Sequence, residues 1–321
     1  MQGAVSDSNA NPKATAGSQP DSVRVMAIVV TYNRPERLAE CIQALRTQTL
    51  PPTEILVVDH SDNAAAQAAV DALDGIVVIR QANCGGAGGF HRGMAHAWQG
   101  RFDWAWLMDD DVVPTQTALC ELLRSPYARL ADTGFLSSRV VNCDGDTYMT
   151  PTPSHWWESA NTIAVDMCYR VSGAPFVGFL VSYRAIDKCG LPLREYFIYD
   201  DDVEYSERVT RAFRGYCVLA SVVIHNQPKP STVASKSAID WKYLYLARNR
   251  ASRIMTSDAA PPKKWVRLLR HAAAMFAVID SPSVAAFKVP FWLLWGALFF
   301  RPVVTFAQDP RLAMYKGGQQ P

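Results

Sequence analysis

Three groups of residues in this chain carry chemistry that a plain folded domain does not need. The first is Asp109-Asp110-Asp111, which closes the apolar run Trp104-Ala105-Trp106-Leu107-Met108. An extended chain alternates its side chains between two faces, so Asp109 and Asp111 point one way and Asp110 the other. Two carboxylates on one side suit a hard divalent cation such as Mn²⁺ or Mg²⁺, whose other ligands are commonly substrate phosphates and water. The second group is Asp200-Asp201-Asp202-Val203-Glu204. The helix dipole and an N-cap account for one acid at a helix start, not for four. A carboxylate held there is a candidate general base for a hydroxyl nucleophile that faces a metal-bound phosphate ester. The third is His225, which ends the β-branched run from Cys217 to Ile224 and supplies the third ligand that Asp109 and Asp111 lack.

A glycine string, Asn83-Cys84-Gly85-Gly86-Ala87-Gly88-Gly89-Phe90-His91-Arg92-Gly93, stands shortly before the first acidic group. Read as a loop, it lets the backbone approach a ligand closely, and the helix expected after it, to about Trp98, offers free N–H groups to a phosphate or sugar oxygen. It lacks the Lys-Ser/Thr of a P-loop and follows the third strand, so it does not match the dinucleotide fingerprint in its usual place. A flexible connection is the alternative. Between Tyr148 and Asn161, His155-Trp156-Trp157 reads as a loop that exposes aromatic faces suited to the sugar rings of an acceptor. Tryptophans capping the core compete with that reading.

Such groups need a scaffold that ends several strands at one edge. With 321 residues, 49% of them apolar, the chain can bury one large core or two modest ones. A net charge of +2 gives no argument for nucleic acid, and none is expected as a partner. Seven singly spaced cysteines without a CxxC pair speak against a zinc site or a disulfide framework, and so for a reducing compartment. Residues 1–22 read as a disordered leader. A strand from Val23 to Val30, a helix from Pro35 to about Gln48, a strand Ile55 to Asp59, a helix Ala64 to Leu73 and a strand Ile76 to Ile79 form a β-α-β-α-β series. That alternation predicts an α/β fold on a parallel sheet, with ligands at the carboxyl ends of the strands, where Thr31, Arg34 and Asp59 fall. Further strands are expected over Phe176 to Tyr183 and Cys217 to His225, with a short helix from Arg184 to Cys189 between them.

Taken in order, Val-Thr-Tyr-Asn-Arg at 30–34, Val-Val-Asp at 57–59, the glycine string at 83–93, Trp-Leu-Met-Asp-Asp-Asp at 106–111, Phe-Ile-x-x-Asp-Asp-x-Glu at 197–204 and Ile-His at 224–225 resemble glycosyltransferase family 2. The glycine string and Tyr245-Leu-Ala-Arg248-Asn249-Arg250 are closer still to its galactofuranosyltransferase branch, which initiates actinobacterial cell-wall galactan. The resemblance covers about Arg24 to Arg250. It implies a GT-A type fold, in which a Rossmann-like nucleotide-binding sheet carries helices on both faces. It makes Asp109, Asp111 and His225 ligands of Mn²⁺ or Mg²⁺ and Asp202 the base. Thr31, Arg34, Asp59, Asn83, Gly85, Gly86, Arg92 and Asp110 would hold the UDP-sugar donor, and Asp201 would join His155, Trp156 and Trp157 on the acceptor side. The implied reaction is an inverting transfer of galactofuranose to a polyprenyl-linked glycan. Two departures matter. His60-Ser61 follows Asp59 where relatives commonly carry Asn or Asp with Gly, and the extra Asp200 leaves Asp201 a rival for the base.

The resemblance leaves the tail unread. From Pro261, Trp265, Leu268, Leu269, Ala272 and Ile279 fall on one helical stripe and Lys264, Arg267 and His271 on another, a basic amphipathic pattern. The apolar stretch Val289 to Phe300 is too short to span a bilayer of about 30 Å, and lying in the interface fits it better. The expected division is a leader (1–22), a transferase domain (23–255) and a helical, membrane-associating extension (256–321). It describes a cytoplasmic protein held on the inner face of the cell membrane. The alternative for the tail is packing on the domain or against a second subunit in a homo-oligomer. Rival activities are a rhamnosyltransferase of the same family, a nucleotidyltransferase that would release pyrophosphate, and a nucleotide-sugar-binding protein without turnover.

Overall fold

A computed structural model of the chain describes residues 23–154, 163, 165–226, 241–277 and 284–313. The first half runs β1 (Val25–Thr31), α1 (Pro35–Arg46), β2 (Glu54–Asp59), α2 (Ala64–Asp71), β3 (Val77–Arg80), α3 (Gly85–Gln99) and β4 (Trp104–Asp109). All four strands pair in parallel in the order β3-β2-β1-β4, which is the expected series with one more strand added. The second half continues with β5 (Val112–Pro114), α4 (Ala118–Arg124), β6 (Thr133–Asn142), β7 (Thr152–Pro153), β8 (Cys168–Gly173), β9 (Phe179–Ser182), α5 (Tyr183–Cys189), α6 (Asp201–Thr210) and β10 (Arg214–His225). It extends the sheet as β9-β6-β10-β8-β7, with β9 antiparallel to both β4 and β6, and β5 antiparallel to β10. The sheet is therefore mixed, parallel where a nucleotide is expected and largely antiparallel beyond β4.

Alternation along β1 sorts the core into two layers. Met26, Ile28 and Val30 pack with Phe90 and Met94 of α3, while Val25, Ala27 and Val29 pack with Leu38 and Ile42 of α1. Both faces are covered by helices, so the central strands are apolar throughout. Pro35 opens α1 at a position where its missing N–H costs nothing, and Asn63 caps α2 by accepting from the Ala65 and Ala66 amides. α1 ends at Arg46, short of the expected Gln48. The buried Gln48 side chain leaves the helix to donate to the Thr115 carbonyl and accept from the Leu119 amide.

The glycine string is not a loop. Its glycines open α3 itself, and a Cβ on Gly89 would stand 2.5 Å from Val30 and one on Gly93 2.4 Å from Ile28. These two glycines let α3 lie close on β1. The strand expected over Phe176 to Tyr183 narrows to β9, and at its end Ser182 turns to cap α5 through the Ala185 amide.

The last helices are α7 (Trp241–Thr256), α8 (Pro261–Ala277), α9 (Val284–Leu298) and the short α10 (Pro310–Ala313). α8 and α9 pack on α7 through Leu244, Ala247, Ala251, Met275, Val289 and Leu293. His271, expected on the basic face of α8, is instead buried against the Ala247 carbonyl at 3.4 Å. The expected apolar stripe of α8 splits: Leu268 and Ala272 turn to α7, Trp265 and Leu269 face out, and Ile279 lies outside the described residues. Past α9 the chain returns to the sheet domain, where Ala307 and Leu312 join the α3-side core. No helix among the described residues is long and apolar enough to cross a membrane.

Candidate active site

Strand register gathers the first site residues at one edge. Thr31 lies beside Asp59 across β1–β2, and Val30 beside Asp109 across β1–β4. Beyond β4 the chain turns at Asp110-Asp111 into β5. There β10 pairs His225 with Val112, and the Asn226 amide donates to the Asp111 carbonyl at 2.8 Å. This long-range pairing carries His225 to the acids. The Thr31 hydroxyl donates to Asp110 at 2.8 Å, and Arg34 bridges Asp110 and Asp111 at 3.3 and 3.2 Å. Thus Asp109 and Asp111 share a site, but the turn at Asp110-Asp111, not the expected strand alternation, brings them together, and Asp110 is tied back to β1.

Asp109, Asp111 and His225 offer ligand atoms that all lie within 4.8 Å of one another. His225 Nε2 stands 3.4 Å from Asp111, and its ring stacks on Tyr148 with centroids 5.6 Å apart. The buried His225 Nδ1 has no hydrogen-bond partner among the described residues. Desolvation first, then the charges of Asp111, Asp110 and Asp202, push the Asp109 carboxyl well above the usual carboxylate range. Two carboxylates and an imidazole crowded this way fit a divalent cation, which would relieve their repulsion.

The second acidic group faces the first. Asp109 and Asp202 feel each other's charge, as do Asp109 and Asp201. Asp201 is buried, and burial followed by the neighbouring Asp202 charge raises its carboxyl well above the ordinary range. Asp202 is half-buried and pushed up to about 6, by desolvation first, against the stabilising Val203 amide. Asp200 occupies the N-cap position of α6 without capping it, because its carboxylate turns to Arg250 and Arg253 on α7.

The other expected donor residues are placed less uniformly. Asp59 is buried, with one oxygen accepting from the Ser61 amide at 2.9 Å and the other from Arg80 at 3.0 Å. His60, beside it, turns to Gln81, and a Cβ on Gly89 would approach its ring. Exposed Asn83 accepts from the Gly85 amide at 3.0 Å. Gly85 itself lies under the Phe197 carbonyl, which accepts from the Ala87 amide at 3.2 Å. Gly86 follows in the same turn, and Arg92 sits half-buried about two turns further along α3. His155, Trp156 and Trp157 lie outside the described residues. Arg248, Asn249 and Arg250, quoted above only for the resemblance and given no place in the site, converge with Arg253 from α7 on the backbone and side chains before α6. Their sequence signal was a run of charged and amide residues on a face that helical spacing turns inward, three of which are buried or nearly so.

Residues 26–189 match the model of glycosyl transferase family 2. The chain belongs to that family. This glycosyltransferase is 30% identical over 211 residues to galactofuranosyltransferase GlfT1 of Mycolicibacterium smegmatis, an alignment covering 61% of this chain and 69% of the relative. In fold it is similar to S. aureus TarS, with a TM-score of 0.56, 13% identity and 91% of this chain covered; the chain spans 50% of TarS. It is likewise similar to the mannosyltransferase PcManGT from Pyrobaculum calidifontis, solved with GDP-Man and Mn²⁺, with a TM-score of 0.53, 16% identity, and 85% of this chain and 84% of that one covered. TarS 1–349 has also been solved with UDP. The transferase has the GT-A type architecture of these neighbours, with a helical C-terminal region added.

Proposed function

We propose that the chain is an inverting, metal-dependent galactofuranosyltransferase that moves galactofuranose from UDP-galactofuranose to a hydroxyl of a polyprenyl-linked glycan in cell-wall galactan synthesis. The observation that carries this reading is the meeting of Asp109, Asp111 and His225 with Asp201 and Asp202 at the carboxyl edge of the parallel strands. Asp109, Asp111 and His225 would hold Mn²⁺ or Mg²⁺. When bound, the cation supplies charge that offsets the negative charge growing on the diphosphate. Thr31, Arg34, Asp59, Asn83, Arg92, Asp110 and the Gly85-Gly86 turn would hold the donor. His155, Trp156, Trp157 and Asp201 would face the acceptor.

Asp202 would take the acceptor hydroxyl proton. The oxygen forms its bond to the anomeric carbon as the bond from that carbon to the diphosphate breaks, and UDP leaves with the electron pair, so an α-linked donor yields a β product. Of the two neighbouring carboxyls, Asp202 suits this role better. It is the more exposed, and with a pKa of about 6 it is ionised at neutral pH yet basic enough to accept a proton.

Residues 23–255 would form the transferase unit and 256–321 an extension that holds it on the inner, cytoplasmic face of the membrane. On α9, Phe287, Phe291, Leu294, Trp295 and Leu298 make one exposed stripe, and on α8 exposed Trp265 and Leu269 share the helix with exposed Lys263, Arg267 and Arg270. Apolar stripes on helices with basic neighbours suit an anionic lipid surface. The deciding experiment incubates the protein with MnCl₂, a synthetic polyprenyl-linked glycan and, separately, UDP-galactofuranose, UDP-galactopyranose and dTDP-rhamnose. UDP release with a galactofuranosyl product is expected from the first donor alone. Transfer from dTDP-rhamnose would reassign the donor, and binding without release from any of them would reject turnover.

A further inference from the structure

Immediately before the two acids of α6 the backbone is held in an unfavourable conformation. Phe197, Tyr199 and Asp200 have φ of 66°, 66° and 68°, and none is glycine. A left-handed L-residue costs on the order of 1–2 kcal/mol, so such a segment persists only where its surroundings over-determine it. Here the surroundings are the inward face of α7. The Asn249 amide nitrogen donates to the carbonyls of Tyr196, Ile198 and Tyr199 at 2.9, 3.0 and 2.8 Å. Two N–H groups serve three acceptors, so one bond is shared. Arg248 donates to the Glu195 and Tyr196 carbonyls at 2.7 and 3.3 Å. The buried Asp200 carboxylate receives Arg250 at 3.0 Å and Arg253 at 2.6 Å.

These bonds do more than hold a loop shut. Asn249 is fully buried in the middle of a helix, where an amide is costly unless its N–H groups are satisfied, and all its donor capacity goes to this one segment. Asp200 forgoes capping α6 and is turned toward α7. Since α6 begins at Asp201, the backbone angles of residues 197–200 set where the first turn of that helix points. We infer that Asn249, together with the Asp200–Arg253 pair, forms a clamp that positions Asp201 and Asp202 for transfer without touching donor or acceptor. The inference rests on the reading of Asp202 as the base. Arg248 extends the clamp outward: its guanidinium lies 3.8 Å over the Phe300 ring, and its carbonyl packs so close to Gly296 that a Cβ there would clash with it. α9, which carries one of the exposed apolar stripes, thus braces the same row.

The test uses the full-length protein and five variants: Asn249→Ala, Asp200→Asn, Arg253→Lys, Arg211→Ala and Asp202→Asn. kcat and KM are measured with UDP-galactofuranose, affinity for UDP with MnCl₂ by calorimetry, and folding by thermal melting. Asn249→Ala and Asp200→Asn should lower kcat about tenfold to a hundredfold, the range expected when a reacting group is displaced by about 1 Å, with UDP affinity within about twofold of the parent. Arg253→Lys keeps a cation beside Asp200 and should retain most of kcat. Arg211→Ala breaks an exposed ion pair with Asp258 just beyond α6 and α7 and should leave turnover unchanged. If Asn249→Ala does not fold, Asp200→Asn, which preserves side-chain volume, decides alone. Folded Asn249→Ala or Asp200→Asn with parental kcat overturns the inference, as does a loss of UDP affinity in step with kcat. Full activity in Asp202→Asn sinks the base assignment instead, a result separate from either of these.

Discussion

Gly85→Ala tests whether the glycine that opens α3 is required by the acidic segment that lies over it. A Cβ at this position would stand 1.9 Å from the Phe197 oxygen and 2.5 Å from its carbonyl carbon, against ordinary contact from 3.4 Å. The Phe197 peptide must therefore withdraw by about 1.5 Å, because a packed interior has no slack to absorb the overlap. The φ of +75° adds strain of about 1–2 kcal/mol for alanine. Withdrawal also breaks the 3.2 Å bond from the Ala87 amide to the Phe197 carbonyl, worth about 1 kcal/mol. Together these predict a destabilisation of roughly 2–3 kcal/mol, seen as a lower midpoint in urea with an unchanged slope. Because Phe197 leads directly into Asp200–Asp202, turnover should fall about 10²-fold as well. Urea denaturation, steady-state transfer and calorimetry of UDP with MnCl₂ read these quantities separately. Parental stability together with parental turnover would refute the reasoning. A selective loss of UDP affinity at unchanged stability would show that the glycine serves the donor rather than Phe197.

Chelation should abolish transfer and added Mn²⁺ or Mg²⁺ should restore it, while Asp109→Ala should resist rescue; full activity in excess chelator would remove the metal assignment. With Asp202 at about 6, kcat should fall as pH drops through that value, because the base must be ionised to act, and a rate that is flat from about pH 5 to 8 contradicts this. Burial holds His60 neutral, its pKa lowered from 6.5 to about 4. The unfolded chain therefore binds the extra proton between these values and the folded chain does not, so stability is lost as pH falls from about 6.5 to about 4, by up to about 3 kcal/mol. Urea titrations of His60→Gln against the parent over that window should show the slope removed; equal slopes would rule the histidine out as its source. The protein should sediment with anionic vesicles, and Phe291→Asp with Leu294→Asp should release it with its UDP affinity intact. Parental sedimentation of the double variant would discard the α9 stripe as the contact.

Much of the site was legible along the chain because its parts are local patterns. The strand ending in Asp109-Asp110-Asp111, the acids opening α6 and the β-run ending in His225 each announce themselves by composition and period. The parallel half of the sheet could be read for the same reason: apolar runs alternate with amphipathic helices, and Pro35 and Asn63 mark helix starts at the expected places. The glycine string misled as a loop because glycine permits both a turn and a close helix–strand contact, and only the positions of Val30, Ile28 and Phe197 decide between them.

What the sequence by itself determined, then, is which residues close the strands that carry the site, Asp59, Asp109 and His225, since period acts within a few residues. Only the tertiary structure decided that β10 returns antiparallel to β5 and sets His225 beside Asp111, and that α7 turns Asn249 and Arg253 onto the backbone before Asp201. Those contacts join positions far apart in the chain. They are selected by how the sheet closes and which helix face the core leaves buried, a choice that no local pattern encodes.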